Sequence, residues 1–359
     1  MKRNQCISSE QLQSKVISFL RFPLCVGVVM IHIVVNTKDC VVHPLYESVH
    51  YLFAQILARV AVPLFFMFSG YLFFNRHDTF TALNYKKKLQ KRIFTLLIPY
   101  LFWNFMPMFY LLLGRFLGLG SEYGIEFTLM DWIKPFWNNY IPERFDGEGI
   151  ASYPMSAQFW YIRELIVTIL LSPLIYWLIK KLRFFFIILL SVLWINNCWF
   201  HLTGLNITAL FFFSMGAYCS IYKKYFAEYL KPHTILLGAI YLVIIIPIFI
   251  AKETDWNPLR RIGILFGMAF TISLTARLVD NDKWMFNRFL SESSFFIFAY
   301  HMLALLVIGD IISISFGSDI MCTILYIIKS IAIVFIGLLL YYLLKRYAPK
   351  FTAIITGGR

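Results

Sequence analysis

Long apolar runs separated by short polar and basic segments recur along the whole chain. The runs are continuous and rich in Leu, Ile and Phe, without the alternation of a half-buried strand. A helix that crosses a bilayer needs roughly 20 mostly apolar residues. Backbone facing lipid must satisfy its own polar groups, which leaves helices or closed barrels. Unbroken runs select helices. The pattern predicts ten, at about 16–35, 49–74, 93–113, 158–180, 184–200, 205–222, 234–251, 258–278, 293–314 and 320–343. The expected fold class is all-α, a polytopic membrane bundle of about ten transmembrane helices forming a single domain over 1–359. No internal repeat and no separate soluble domain interrupts it, and the tail after the tenth helix is short.

Composition agrees: 60% of residues are hydrophobic and 14% charged. A formal net charge of +14 suits a nucleic-acid binder, but most Lys and Arg sit in short loops between apolar runs. With the N-terminus placed in the cytoplasm, the inner segments hold about three times as many basic residues as the outer ones, in correct alternation. Lys86, Lys87, Lys88, Lys91 and Arg92 fall inside, with Lys180, Lys181, Lys223 and Lys224; Arg260 and Arg261 fall in an outer segment. Both termini are therefore expected in the cytoplasm, with the membrane and not nucleic acid as partner. The first apolar run contains Arg21 and lacks a small-residue cleavage site, so it is read as a retained helix and not a signal peptide.

The six cysteines show no CxxC pair or metal-ligand spacing, and no metal is expected. Cys25, Cys219 and Cys322 read as packing residues; a disulfide between Cys40 and Cys198 is left open. Residues 114–157 form a long extracytoplasmic loop. Its acids (Glu122, Glu126, Asp131, Glu143, Asp146, Glu148) and aromatics (Tyr123, Trp132, Phe136, Trp137, Tyr140, Tyr153) suit either sugar binding or an interfacial aromatic belt.

Ionisable groups inside membrane helices are costly and mark function by default. Arg21 and His32 lie on one face of the first helix, about 16 Å apart along its axis. The bland alternatives are snorkelling for Arg21 and a hydrogen-bonded core position for His32. By depth, His32, Arg59, Arg163, Glu164 and Lys329 all reach the outer half of one cavity, with Asp310 near the outer end of its helix. A His with a carboxylate to orient it is a general-base arrangement. Nearby cations can hold an acid or stabilise an oxyanion. Structural charge pairing is the alternative. The basic run Lys86–Arg92 suits either anionic lipid or a phosphorylated cofactor such as coenzyme A.

Five ordered segments resemble the bacterial acyltransferase-3 membrane family. Arg21-Phe-Pro-Leu-Cys-Val-Gly-Val-Val-Met-Ile-His32 is similar to its R-x10-H signature. Val62-Pro63-Leu64-Phe65-Phe66-Met67-Phe68-Ser69-Gly70-Tyr71-Leu72 resembles its VPLFFxxSGYL segment. Lys91-Arg92-Ile-Phe-Thr95-Leu-Leu-Ile-Pro99-Tyr100-Leu-Phe-Trp103 resembles KRxxRxxxPYLFW. Phe159-Trp160-Tyr161-Ile162-Arg163-Glu164-Leu165 with Ser172-Pro173-Leu174 resembles HLWFL…SPL. Ser294-Phe295-Phe296-Ile297-Phe298-Ala299-Tyr300-His301 resembles the late SFxIYLxH helix. Three positions depart: Thr95 stands for the second Arg of R-x-x-R, Gln158 for a His, and Phe298 for a Tyr.

The resemblance implies an O-acyltransferase of the bacterial inner membrane. It would move an acyl group, usually acetyl, from cytoplasmic acetyl-CoA or another acyl-CoA to a hydroxyl of an envelope polysaccharide or lipid-linked sugar. His32 is then the base and Glu164 its orienting partner. Arg21, Lys88, Lys91 and Arg92 meet the coenzyme. Ser69, Gly70 and Tyr71 give close backbone approach to the pantetheine or thioester. Arg59, Trp160, Arg163, His301 and Lys329 meet substrate, and Arg59 or Lys329 suits a succinyl group as well as acetyl. The competing readings are a transporter or flippase for envelope glycans, and a non-catalytic scaffold. The lack of a broken helix pair in matching positions speaks against transport.

Overall fold

A computed structural model describes residues 8–35, 43–75, 80–117, 129–138, 153–200, 202–252, 257–280, 287–311 and 318–358. Among them there is no strand. Thirteen helical elements follow in chain order: α1 Ser9–His32, α2 Pro44–Phe74, α3 Ala82–Gly114, α4 Leu129–Trp137 and α5 Trp160–Leu170. Next come α6 Ser172–Leu182, α7 Phe184–Ile195, α8 Ile207–Ile221, α9 Phe226–Ala251 and α10 Pro258–Asp280. The last are α11 Arg288–Ile311, α12 Asp319–Tyr347 and α13 Pro349–Thr356.

All ten predicted segments are helical, but they are not ten equal spans. Among the described residues, seven helices are long and apolar enough to cross a membrane: α1, α2, α3, α9, α10, α11 and α12. The predicted fourth helix is broken. α5 and α6 meet at Leu171 with a bend of 64°. Ser172-Pro173 causes it, since a proline lacks a donor and disfavours helical backbone at the residue before it. α7 has 12 residues and α8 has 15, which at about 1.5 Å per residue fall short of a roughly 30 Å hydrocarbon core.

Local chemistry fixes the helix starts. Ser8 and Gln11 form a reciprocal capping box on α1. The Thr81 hydroxyl accepts from the Asn84 amide at 3.3 Å to start α3. The Lys86–Arg92 run does not precede the third helix but forms its first turns. Two wide π-helical turns, Tyr51–Leu57 in α2 and Ile93–Leu97 in α3, are absorbed without breaking the helices.

The core lies between α1, α2, α5, α8, α10 and α11. Its closest crossing joins α2 to α8: a Cβ on Gly70 would lie 2.0 Å from the Phe213 carbonyl oxygen, and one on Gly216 would lie 1.9 Å from that of Met67. Small residues here let two backbones touch, the usual device for packing membrane helices. α13 folds back on α3, where the Trp103 indole donates to the Ile355 carbonyl at 2.9 Å. The tail after the tenth helix is thus a packed element.

Side-chain bonds define the two ends of the bundle. At one end, the Ala227 amide donates to Gln13 of α1 at 2.9 Å, and Lys231 pairs with Asp280 at 2.6 Å. Lys88 donates to the Phe73 carbonyl at 2.6 Å at this same end, where α2 finishes. At the opposite end Arg260 donates to the Gln55 carbonyl at 2.6 Å. Arg261 there bonds the Trp194 carbonyl and, at 2.9 Å, Asn197. Arg260 and Arg261 are therefore buried helix residues, 5% and 8% exposed, and not loop charges.

Candidate active site

α1, α2, α3, α5 and α11 enclose a cavity of about 200 Å³. Arg21 and Arg92 supply its cations, Ser69, Tyr161, Ser291 and Ser294 its hydroxyls, and Phe295 and Phe298 close one side. Ser69 Oγ lies 3.2 Å from the Tyr161 hydroxyl across it. Three residues expected to meet the coenzyme, Arg21, Ser69 and Arg92, thus share one wall-to-wall space although they come from three helices.

The remainder of that set is placed otherwise. Gly70 faces α8 at the tight crossing, so its missing side chain serves helix packing and not a ligand. Tyr71 is 3% exposed and packs edge-on against Phe226 with ring centroids 5.5 Å apart. Of the expected donor segment Ser69-Gly70-Tyr71, Ser69 alone lines this cavity. Consecutive helical residues point about 100° apart, so three in a row do not share a wall. Lys88 lies over the Phe73 ring at 5.1 Å, and Lys91 is exposed.

Phe298 links this cavity to the histidines. Its ring packs edge-on to Tyr161 at 5.9 Å and tilted to His301 at 6.2 Å. Its carbonyl lies 2.7 Å from His301 Nδ1. A carbonyl only accepts, so Nδ1 carries the proton and, in the neutral ring, Nε2 presents its lone pair. That Nε2 is buried and has no partner among the described residues, as is true of Gln158 Oε1 nearby in the core. Gln158 Nε2 donates to the Ala299 carbonyl at 3.0 Å, fixing the amide against α11. The His32 ring lies 5.3 Å from the His301 ring, centroid to centroid. Arg59 is close enough to act electrostatically on both His32 and His50. It bonds Gln55, which also receives Arg260 at 3.1 Å.

Glu164 is elsewhere. Its carboxylate accepts from the Gly204 amide at 3.0 Å, the Asn206 amide at 2.9 Å and Arg163 at 2.9 Å. Its partners tie the start of α5 to the start of α8, and His32 is not among them. Arg163 donates in turn to the Trp137 carbonyl at 2.5 Å and lies over the Trp137 ring at 5.5 Å. The Arg163–Glu164 pair therefore anchors α4, the described helix of the long loop. Trp160 is half-buried beside Phe66, and Lys329 is half-buried on α12. The expected outer cavity thus resolves into two clusters: His32, His301 and Arg59, and separately Arg163, Glu164 and Trp137.

Sequence reasoning missed Tyr161, Ser291 and Ser294 as cavity residues. It also missed the Gln55–Arg260 partnership of Arg59, whose only sequence signal is the i, i+4 spacing of Gln55 and Arg59. Among the described residues no group of three or more His, Cys, Asp or Glu could hold a metal. Glu122, Glu126, Glu143, Asp146 and Glu148 of the loop, Tyr123 and Tyr140, and Cys40 of the open disulfide question lie outside the described residues, as do the Asp310, Asp131 and Trp132 side chains.

The family profile described as an acyltransferase domain, acyltransferase-3, matches residues 15–346. The chain belongs to the acyltransferase-3 family. It is accordingly a multi-pass membrane acyltransferase. A curated relative, the succinoglycan biosynthesis protein ExoH of Rhizobium meliloti (strain 1021), is 25% identical over 366 residues, covering 96% of this chain and 92% of the relative. No solved structure matches the chain.

Proposed function

We propose that this acyltransferase moves an acetyl group from acetyl-CoA to a hydroxyl of a cell-envelope polysaccharide or lipid-linked sugar, across the bacterial inner membrane. The observation that carries the reading is the convergence of Arg21, Ser69 and Arg92 on one cavity that ends at Phe298, with His301 and His32 directly behind. The two guanidinium groups suit the phosphates of coenzyme A, since Arg binds phosphate as a planar fork. The hydroxyl-lined interior suits the pantetheine arm and thioester. The similarity to a succinoglycan biosynthesis protein supports a polysaccharide acceptor.

In this reading His32 takes the proton of the acceptor hydroxyl. The oxygen attacks the thioester carbonyl, the C–O bond forms, the C–S bond breaks, and the proton passes to the departing coenzyme A thiolate. His301, in ring contact with His32, assists it in handling that proton through the Nε2 lone pair. Arg59 stabilises the developing oxyanion or binds the acceptor. The basic end of the bundle, with the Arg21–Arg92 cavity, faces the cytoplasm, and both termini lie there. The transport reading gains one broken helix from the structure, α5–α6, but among the described residues no second broken pair matches it, as an inverted repeat requires.

The test supplies membranes with labelled acetyl-CoA and compares wild type with His32→Ala at equal expression. Loss of label from the glycan fraction is expected, with coenzyme A still bound. Equal labelling removes His32 as the base. Failure of the wild type to bind coenzyme A at all removes the donor and favours transport.

A further inference from the structure

Across α2 from the Arg21–Arg92 cavity lies a second, larger cavity of about 560 Å³. This is within the roughly 300–1,000 Å³ of ligand pockets, and the acyltransfer reading makes no use of it. Its deep walls are apolar: Met67 of α2, Met215 of α8, and Met268, Ala269 and Ile272 of α10. Three methionines give a wall of unbranched, polarizable side chains that adapts to a flexible hydrocarbon. Its mouth is charged. Lys223 and Lys224, which follow α8, line it together with Glu228. All three are exposed, and among the described residues neither lysine makes an ion pair with Glu228 or any other acid. The mouth is therefore net positive. It sits at the end of the bundle where Ala227 is tied to Gln13 and Lys231 to Asp280.

An apolar slot with two cations at its entrance, placed at one end of a membrane bundle, has the layout of a single amphiphile with an anionic head. We infer that this cavity binds an anionic phospholipid, with one acyl chain between α2, α8 and α10 and the phosphate held by Lys223 and Lys224. Basic residues at a membrane surface attract anionic lipid, and long lysine stems reach the headgroup level while their carbon chains cover apolar surface. A zwitterionic lipid fills the slot but cancels its own charge at the lysines. A polyprenyl phosphate carries the right head on a chain several times too long for the space.

Full-length protein is purified, exchanged into nanodiscs of equal phosphatidylglycerol and phosphatidylcholine, and the retained lipid is counted by native mass spectrometry. Wild type is expected to keep one phosphatidylglycerol. Lys223→Gln/Lys224→Gln should lower its preference over phosphatidylcholine by roughly ten-fold or more. Ala269→Trp should fill the slot and abolish retention, with acetyl transfer unchanged in both variants. Equal retention of the two lipids by wild type, or retention indifferent to both variants, overturns the inference. Stronger retention of an added polyprenyl phosphate than of phosphatidylglycerol overturns it in favour of a lipid-linked sugar. If Ala269→Trp does not fold, the lysine variant decides alone.

Discussion

Glu164 accepts three hydrogen bonds, two from backbone amides of the α7–α8 connection and one from Arg163. At 2% exposure it is a buried anion held by those three donors. Glu164→Gln removes the charge, turns one acceptor into a donor, and leaves Arg163 without its counter-ion. Removing one partner of a buried pair typically costs about 3–5 kcal/mol. The purified variant should unfold at a clearly lower temperature, while protein that remains folded turns over normally. A normal melting temperature with a depressed kcat would instead return Glu164 to the chemistry of His32. His301 invites the opposite expectation. It is fully buried, and its Nε2 has no partner among the described residues beside His32. His301→Phe keeps the ring packing and removes the lone pair. It should lower kcat by about 10²-fold, as loss of acid–base assistance does, with KM for acetyl-CoA unchanged. A raised KM with unchanged kcat would place His301 in donor binding.

Helices tolerate or refuse a methyl group according to what faces them. Gly70→Ala and Gly216→Ala each drive a Cβ to 2.0 Å or less from a carbonyl oxygen of the partner helix, where only backbone can yield. Both should abolish the well-folded species in size-exclusion analysis. Gly114→Ala meets nothing within 4 Å and should raise stability by up to about 1 kcal/mol, the helix-propensity difference. The contrast also says what was legible. Ser69-Gly70-Tyr71 stood out as a motif, but whether its glycine admits a ligand or a helix depends on Phe213, far away in sequence. The break at Leu171 was readable from Ser172-Pro173 and was overridden by a continuous apolar run. Arg21 and His32 on one helix followed from length and periodicity alone, which local physics dictates. The meeting of Arg21 with Arg92, and of His32 with His301, is tertiary and leaves no period in the chain.

At the scale of the molecule, the basic residues are sorted. Lys86, Lys87 and Lys91 lie at the start of α3, Lys180 and Lys181 at the end of α6, and Lys223 and Lys224 after α8. Bonds between these regions hold them at one end: Lys88 meets the end of α2, and Lys180 lies over both Tyr176 and Tyr222. Cys198, exposed beyond α7, lies at the other end beside Asn197, which receives Arg261. A bundle with most of its exposed cations at one end, and Arg260 and Arg261 buried at the other, is expected to insert with the first end in the cytoplasm. The consequence is testable with a native thiol. On a Cys6→Ser/Cys40→Ser background, a membrane-impermeant maleimide should label Cys198 in cells whose inner membrane is intact, and Cys198→Ser should remove that signal. Lys87→Cys added to the latter variant should react only after the membrane is permeabilised. Labelling of Lys87→Cys in intact cells would reverse the bundle. The Arg21–Arg92 cavity would then open away from the cytoplasmic pool of coenzyme A, and the proposed direction of acyl transfer would fall with it.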